Sequence, residues 1–315
     1  MPENDYLLEV KHLCQHFTSG RGANKLTVKA VDDVSFGVRR AETFGLVGES
    51  GCGKTTTGRT IIRLYDPTSG EMKFDGRDIA GKMTNDLRKY LTDNIAMIFQ
   101  DPVESLNPKM TIEEIVGEGL EVRGMKDKDE VRRLVYEALD KVGLTQEHAT
   151  RYPHEFSGGP RQRVGIARAM IIRPKMIIAD EPVSALDVSI QAQVINLLND
   201  LKQEMGLTIL FIAHNLSVVK YFSDRIGVMY YGHLVEIANG DDLYKHPLHP
   251  YTKALLSAIP EPNPITERTR QRVDYDPKRD HDYSVEQPSM VEIEKEHFVY
   301  CSPSELEKYR KEIGC

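Results

Sequence analysis

Apolar and polar residues alternate over residues 7–17 and again over 31–47, the two-residue period of strands with one buried face. A glycine-containing stretch, TSGRGANK, separates the two. FGLVGESGCGKTT then predicts a buried strand, a glycine turn and a helix start, GEMKFDGRDI a strand pair, and IAMIFQ a further buried strand. The period changes between about residues 110 and 172. TIEEIVGEGLEVRG, KDEVRRLVYEALDKVGL and RQRVGIARAMII carry apolar residues at helical spacing. From residue 176 the order returns to strand (KMIIADEP), helix (IQAQVINLLNDLKQEMG) and strand (LTILFIAH), followed by helix and strand. The pattern is that of an α/β core interrupted by a helical insert. Beyond about residue 245 periodicity weakens, and PEPNPITERTRQRVDYDPKRDHD predicts a solvated linker or extended tail.

Composition narrows the class. The 315 residues are 40% hydrophobic, enough for a sizeable core, and 28% charged. Acidic residues outnumber Lys and Arg by 48 to 41, a net charge of −7 that argues against a broad nucleic-acid or anionic-lipid footprint. MPENDYLLEV has no apolar core of a secretory signal, so none is expected. Apolar runs such as MIIA and TILFIA have strand length, well short of the roughly 18 residues of a spanning helix. Four cysteines, dispersed except for Cys301 and Cys315, suit a reduced, cytosolic protein. Any work at a membrane is then expected from a peripheral subunit.

Gly48 to Thr55, GESGCGKT, fits G-x-x-x-x-G-K-[ST] between a strand and a helix. The glycines let backbone N–H groups wrap phosphates, Lys54 adds an ammonium, and Thr55 offers a hydroxyl to Mg²⁺. MIIAD followed by Glu181 supplies the complementary element: Asp180 can hold Mg²⁺ through its water shell, and Glu181 can orient and deprotonate an attacking water. Gln100 and His214 each end an apolar strand, where open α/β sheets bind ligands. Gln100 is a candidate sensor of metal and water, and His214 a candidate partner of the γ-phosphate.

In order and spacing over about residues 7–240, the phosphate loop, Gln100, FSGGPRQR, IIADEP, SALD and His214 resemble the ATP-binding cassette proteins. The resemblance implies a P-loop NTPase cassette with a RecA-like core, an antiparallel β subdomain and an inserted helical subdomain at about 103–172. The nucleotide-binding domain would span 1–245, followed by a C-terminal extension, 246–315. It implies ATP and Mg²⁺, with ATP held by Gly48, Ser50, Gly51, Cys52, Gly53, Lys54, Thr55 and Thr56, and the metal by Thr55, Gln100 and Asp180. Phe17 matches an aromatic that stacks on adenine, although a strand aromatic is often a plain core residue. Ser157, Gly158 and Gly159 match the signature that closes over ATP bound by a second cassette, and Asp187 the loop that crosses that dimer interface.

QDPVESLNPKMTI, RYPHEFSGG and HPLHPYTKALLSAIP resemble oligopeptide and dipeptide permease ATPases, most of all their F-type subunit. Such a subunit pairs with a second ATPase subunit and two transmembrane permease subunits, served by an extracytoplasmic peptide-binding protein. It would sit at the cytoplasmic face of the membrane, with no nucleic-acid partner. Short coupling helices would enter near Gln100 to Pro108. Importers of nickel or oligosaccharides remain an alternative, as does a soluble cassette protein, although the interval from Gly53 to Ser157 is too short for a long coiled coil. His246 and His249 suggest metal ligation, but the prolines around them suit a structural turn. Relatives with an iron–sulfur cluster carry four cysteines in the tail. Here only Cys301 and Cys315 are present, so no cluster is expected. Two positions depart from the pattern: Pro160 stands where the signature has glutamine, and Asn215 where relatives often have an acid.

Overall fold

The computed structural model describes residues 6–20, 25–259 and 272–313. The TSGRGANK insertion and the PEPNPITERTRQRVDYDPKRDHD segment therefore lie partly outside the described residues, and Cys315 lies wholly outside them. The chain forms two compact units. One comprises mainly Gly81–Ile212; the other comprises Leu8–Val38, Thr43–Ala80 and the chain from Ala213 onward.

In the second unit, β1 (Tyr6–Ser19), β2 (Leu26–Arg39), β4 (Ser69–Phe74) and β5 (Arg77–Asp78) form a sheet in the order β2-β1-β4-β5. β1 and β4 run antiparallel from Leu8 opposite Phe74 to Cys14 opposite Ser69, with a register shift between Lys11 and Cys14. Every residue of β3 (Thr43–Val47) is buried, as the unbroken TFGLV run predicts. β2 and β3 divide the alternating stretch predicted over 31–47. The chain turns between them at Ala41, whose φ is 57°, and the turn is closed by the Arg39 N–H donating to Glu42 Oε2. β3 pairs in parallel with β9 (Arg225–Tyr230), and β9 pairs antiparallel with β10 (His233–Asn239). Helix α1 (Lys54–Ile61) follows the glycine turn, and α8 (Leu216–Phe222) begins at Asn215, whose side chain accepts the Ser217 N–H.

The other unit holds three parallel strands, β6 (Ile95–Ile98), β7 (Met176–Asp180) and β8 (Thr208–Ala213), with β7 in the middle. β7 and β8 are buried throughout. Between β6 and β7 the chain is helical, as the change of period predicts: α3 (Pro102–Ser105), α4 (Ile112–Val122), α5 (Lys128–Lys141) and α6 (Gly158–Met170). α4 starts in a capping box of Thr111 and Glu114, and it packs its Ile112–Ile115–Val116–Leu120 stripe against α5 and α6. α7 (Val188–Met205) links β7 to β8.

The extension is ordered on both sides of the segment expected to be solvated, whose described part, 272–282, is mostly exposed. In the second unit, α10 (Pro250–Ser257) precedes two strands, β11 (Ser289–Glu294) and β12 (His297–Cys301), and a final helix, Pro303–Glu312. β12 pairs antiparallel with β10 and with β11. Leu248, Ile293, Val299, Cys301 and Tyr309 form its own small core. Polar groups supply what apolar periodicity does not. Glu236 on β10 is fully buried and accepts the N–H groups of Leu248 (2.9 Å) and His249 (3.0 Å) and His297 Nε2–H (2.7 Å). His249 caps α10 by accepting the Tyr251 N–H on Nδ1, and burial pushes its pKa down to about 3. A neutral acceptor in that position makes His249 part of the turn. Glu236→Ala would strand two buried N–H groups and a buried imidazole. The expected cost is about 3–5 kcal/mol, read by denaturant titration, with amide exchange accelerating first in β11 and β12.

Candidate functional site: the phosphate loop and its acidic complement

The turn from β3 into α1 is shaped by backbone crowding. At Gly48 (φ 152°) a Cβ would lie 2.2 Å from the Met229 carbonyl oxygen, and at Gly53 (φ 112°) 2.2 Å from that of Ala30. Only glycine fits at either position. The loop so formed brings Lys54 back over its own backbone. The ammonium is buried and donates to the carbonyls of Gly48 and Glu49, each at 2.8 Å, and lies 3.6 Å from Cys52 Sγ. Cys52 is itself buried, which raises its pKa and keeps it a thiol. Helix α1 has Gly53 as N-cap with no side chain capping it and no acid in its first turn. The positive end of the helix dipole at this turn suits the binding of phosphate oxygens.

A contact absent from the sequence reading supports this loop. The Glu49 N–H donates to the hydroxyl of Tyr251, at 3.1 Å, from the HPLHPY segment of the extension. Tyr251 is buried against Tyr230 and Tyr275, with ring centroids 4.4 and 5.5 Å away. Nothing in the local pattern signals it, because the contact joins positions 202 residues apart. Phe17, near the end of β1, is 39% exposed and meets Tyr65 edge-on at 5.2 Å. It is a surface aromatic, not a core one. His214, exposed, follows β8, next to the capping Asn215.

The acidic set lies in the other unit. Asp180 ends β7 and is fully buried. Glu181 follows with φ 44°, an uncommon conformation for a residue with a Cβ. It is fixed by its N–H donating to the Ile212 carbonyl (2.9 Å) and by its own carbonyl accepting from Ser184 Oγ (3.1 Å). The kink accompanies a Glu181 carboxylate that accepts from Gln100 Nε2 at 3.1 Å. Gln100 and Glu181, read separately from two strand ends, thus meet.

The SGG segment starts α6. Ser157 is its N-cap, yet its hydroxyl makes no cap hydrogen bond, and no acid occupies the first turn. Ser157 and Gly158 are exposed, whereas Gly159 is buried where a Cβ would lie 2.8 Å from Ile190 Cγ2 of α7. Pro160 is the third residue of the helix, a position whose N–H has no intrahelical partner in any case. Asp187 caps α7, accepting from the Ile190 N–H (3.0 Å) and Ser189 Oγ (2.6 Å), and these donors lower its pKa.

Comparison with known proteins agrees with this geometry. Residues 31–184 match the ABC transporter family, and residues 235–283 match the C-terminal region of oligopeptide/dipeptide transporters. The chain is 57% identical over 304 residues to the oligopeptide transport ATP-binding protein OppF of Bacillus subtilis (strain 168), covering 96% of this chain and 98% of that protein. It is 51% identical over 315 residues to the dipeptide transport ATP-binding protein DppF of Lactococcus lactis subsp. cremoris (strain MG1363), covering 99% of each. Among solved structures it is similar to the ATP-binding cassette MJ0796, seen as a dimer in a post-hydrolysis state with ADP and Pi. That likeness has a TM-score of 0.67 and 29% identity, over 74% of this chain and 98% of that one. It is also similar to CbiO1 of Clostridium perfringens, part of the CbiONQ transporter complex, with a TM-score of 0.66 and 27% identity over 76% and 91% of the two chains. With a full-length match at this identity, a phosphate loop at the head of α1 and a carboxylate at the end of β7, the chain belongs to the ABC transporter ATPases, in the group of oligopeptide and dipeptide transport ATP-binding proteins.

Proposed function

We propose that this chain is the ATP-hydrolysing subunit of a bacterial importer of oligopeptides or dipeptides. The observation that carries the reading is the full-length likeness to two peptide-transport ATP-binding proteins in a chain whose phosphate loop is intact. Gly48, Ser50, Gly51, Cys52, Gly53, Lys54, Thr55 and Thr56 form the phosphate cradle, and Phe17 stacks on adenine. Thr55, Gln100 and Asp180 offer the hard oxygen ligands that suit Mg²⁺, which supplies positive charge against the β- and γ-phosphates. Glu181 accepts the proton of the water that attacks the γ-phosphorus, Gln100 holds that carboxylate in line, and His214 donates to a γ-phosphate oxygen. The domain division follows the same reading: a cassette over 1–245, helical at about 103–172, and an extension over 246–315.

The partners follow from chemistry this chain lacks. No helix among the described residues is long and apolar enough to cross a membrane, so transport requires separate permease subunits. The chain would then dock peripherally at their cytoplasmic side, with residues near Gln100 to Pro108 receiving coupling helices. Val103, 56% exposed in that stretch, offers an apolar contact. The uncapped, acid-free start of α6 suits Ser157, Gly158 and Gly159 to a phosphate on a second ATPase subunit, with Asp187 at the same interface. An extracytoplasmic binding protein would deliver the peptide. The reading includes no iron–sulfur cluster, since Cys301 faces the small C-terminal core, where burial pushes its thiol up to about 11.

Three tests follow. Glu181→Gln in the assembled transporter is expected to keep ATP affinity and slow hydrolysis by about 10²–10⁴-fold; near-normal turnover would remove Glu181 from the role. Tyr251→Phe removes the acceptor of the Glu49 N–H. It should weaken binding of a fluorescent ATP analogue about five- to tenfold, the scale of one hydrogen bond, and an unchanged affinity would free the extension from any part in the loop. Pro160→Gln, with the chain's own site disabled at Lys54, should speed hydrolysis at the partner's site, because it restores a side chain that relatives present there. Equal turnover would make Pro160 a helix-start residue alone.

A further inference from the structure

Apart from the phosphate loop, three side chains of different chemistry converge on one point of the β2-β1-β4-β5 sheet. Cys14 Sγ, His16 Nε2 and an Asp32 carboxylate oxygen all lie within 4.8 Å of one another, each partly buried. Asp32 Oδ1 is the hub, 3.0 Å from His16 Nε2 and 3.8 Å from Cys14 Sγ. Zinc in a tetrahedron, with thiolate at about 2.3 Å and imidazole or carboxylate at about 2.0 Å, sets its donors about 3.3–3.5 Å apart. The observed separations bracket that edge, so small rotations suffice.

The backbone is bent to make this meeting. Cys14 and His16 are two apart on β1 and so share a face, just past the register shift between Lys11 and Cys14. On β2, Asp33 has φ 58°, and His12 on β1 has φ 51°. These kinks turn the neighbouring side chains, as bulges do elsewhere. The surroundings resemble an outer shell. The Asp33 N–H donates to Cys14 Sγ at 3.3 Å. The second carboxylate oxygen, Asp32 Oδ2, takes Lys29 Nζ at 2.9 Å and has His233 Nε2 at 3.9 Å, which leaves Oδ1 for the cluster. The His16 backbone is fixed by its N–H donating to Thr68 Oγ1 at 2.9 Å.

We propose that Cys14, His16 and Asp32 form a binding site for a zinc-type transition cation, with water in the fourth position. A thiolate, an imidazole and a carboxylate select a borderline-soft cation over Mg²⁺, which prefers oxygen ligands throughout. Metal entry displaces the Cys14 proton to solvent and ties β1 to β2 one residue before Phe17. Without metal, the same groups form an ion-pair cluster around Asp32 with Lys29 as its cation.

Cobalt(II) titration of the purified full chain separates the two states. One equivalent is expected to bind with the absorption of a tetrahedral site, including a thiolate-to-cobalt charge-transfer band, and zinc should displace it. Cys14→Ser, nearly isosteric, should abolish that band and weaken zinc binding by at least about 10–100-fold, the scale at which outer-shell changes already act. The melting temperature of metal-free Cys14→Ser should match that of the metal-free native chain. Tetrahedral absorption without a thiolate band, a band that survives Cys14→Ser, or no uptake at one equivalent would each overturn the assignment. The last result would leave the cluster as the Asp32 carboxylate with its Lys29, His16 and Cys14 contacts alone.

Discussion

The phosphate loop is fixed by steric exclusion before any ligand arrives. Two neighbouring carbonyls, of Met229 and Ala30, stand where Gly48 and Gly53 would carry side chains. Both positions also have positive φ, a conformation that glycine adopts without steric cost. Lys54 then satisfies itself on the carbonyls of Gly48 and Glu49, so the loop is closed by its own cation. Binding a phosphate under this arrangement exchanges carbonyl partners for anionic oxygens, which are stronger acceptors of an ammonium proton. The surrounding strands β2 and β9 and the Tyr251 hydroxyl matter to chemistry because they hold this loop against relaxation.

A second constraint acts in the other unit, and it is also conformational. Glu181 would be an ordinary acid after a strand if its backbone were extended. Held at φ 44° by Ile212 and Ser184, it carries a carboxylate bonded to Gln100. Strain of this kind costs on the order of 1–3 kcal/mol and persists where its surroundings over-determine it. The same unit shows why the SGG pair is not two equivalent glycines. Gly159 answers to the packing of Ile190, and only Ser157 and Gly158 are exposed.

Much of the fold was legible because its strands are simple. TFGLV, MIIAD and TILFIA are predominantly apolar, and each is buried along its whole length. The helical insert was legible from its change of period and from caps such as Thr111 with Glu114. The candidate site was legible as residue types at strand ends, since glycine, lysine and carboxylate spacing is a local property. Its contacts were not. The Gln100–Glu181 bond spans 81 residues and the Glu49–Tyr251 bond 202, and no local period encodes either. The split of 31–47 into two strands escaped for a different reason: the turn rests on Ala41, a residue with no turn signature of its own.

The order in the extension is not legible from periodicity because buried polar groups organise it. Glu236 is a buried carboxylate at the junction of β10, the HPLHP turn and β12, and its two oxygens bind three donors from the turn and β12. Hydrophobic periodicity cannot report a carboxylate that is buried because its partners are, and HPLHPY shows no period at all. His249 adds to this by remaining an uncharged acceptor in the interior, where a proton would cost it the Tyr251 N–H. A group whose folded pKa is depressed from 6.5 to about 3 stabilises the fold fully above pH 6.5. It loses that contribution as pH falls through this window. His281, 5.0 Å away, and Lys253 act on His249 in the same direction, while Glu236 faces the turn from β10. Because Tyr251 lies two residues beyond His249 and accepts from Glu49, acid that loosens this turn must also withdraw support from the phosphate loop. The extension is in this sense a support of the glycine loop, joined to it by a hydroxyl and held in register by one buried carboxylate.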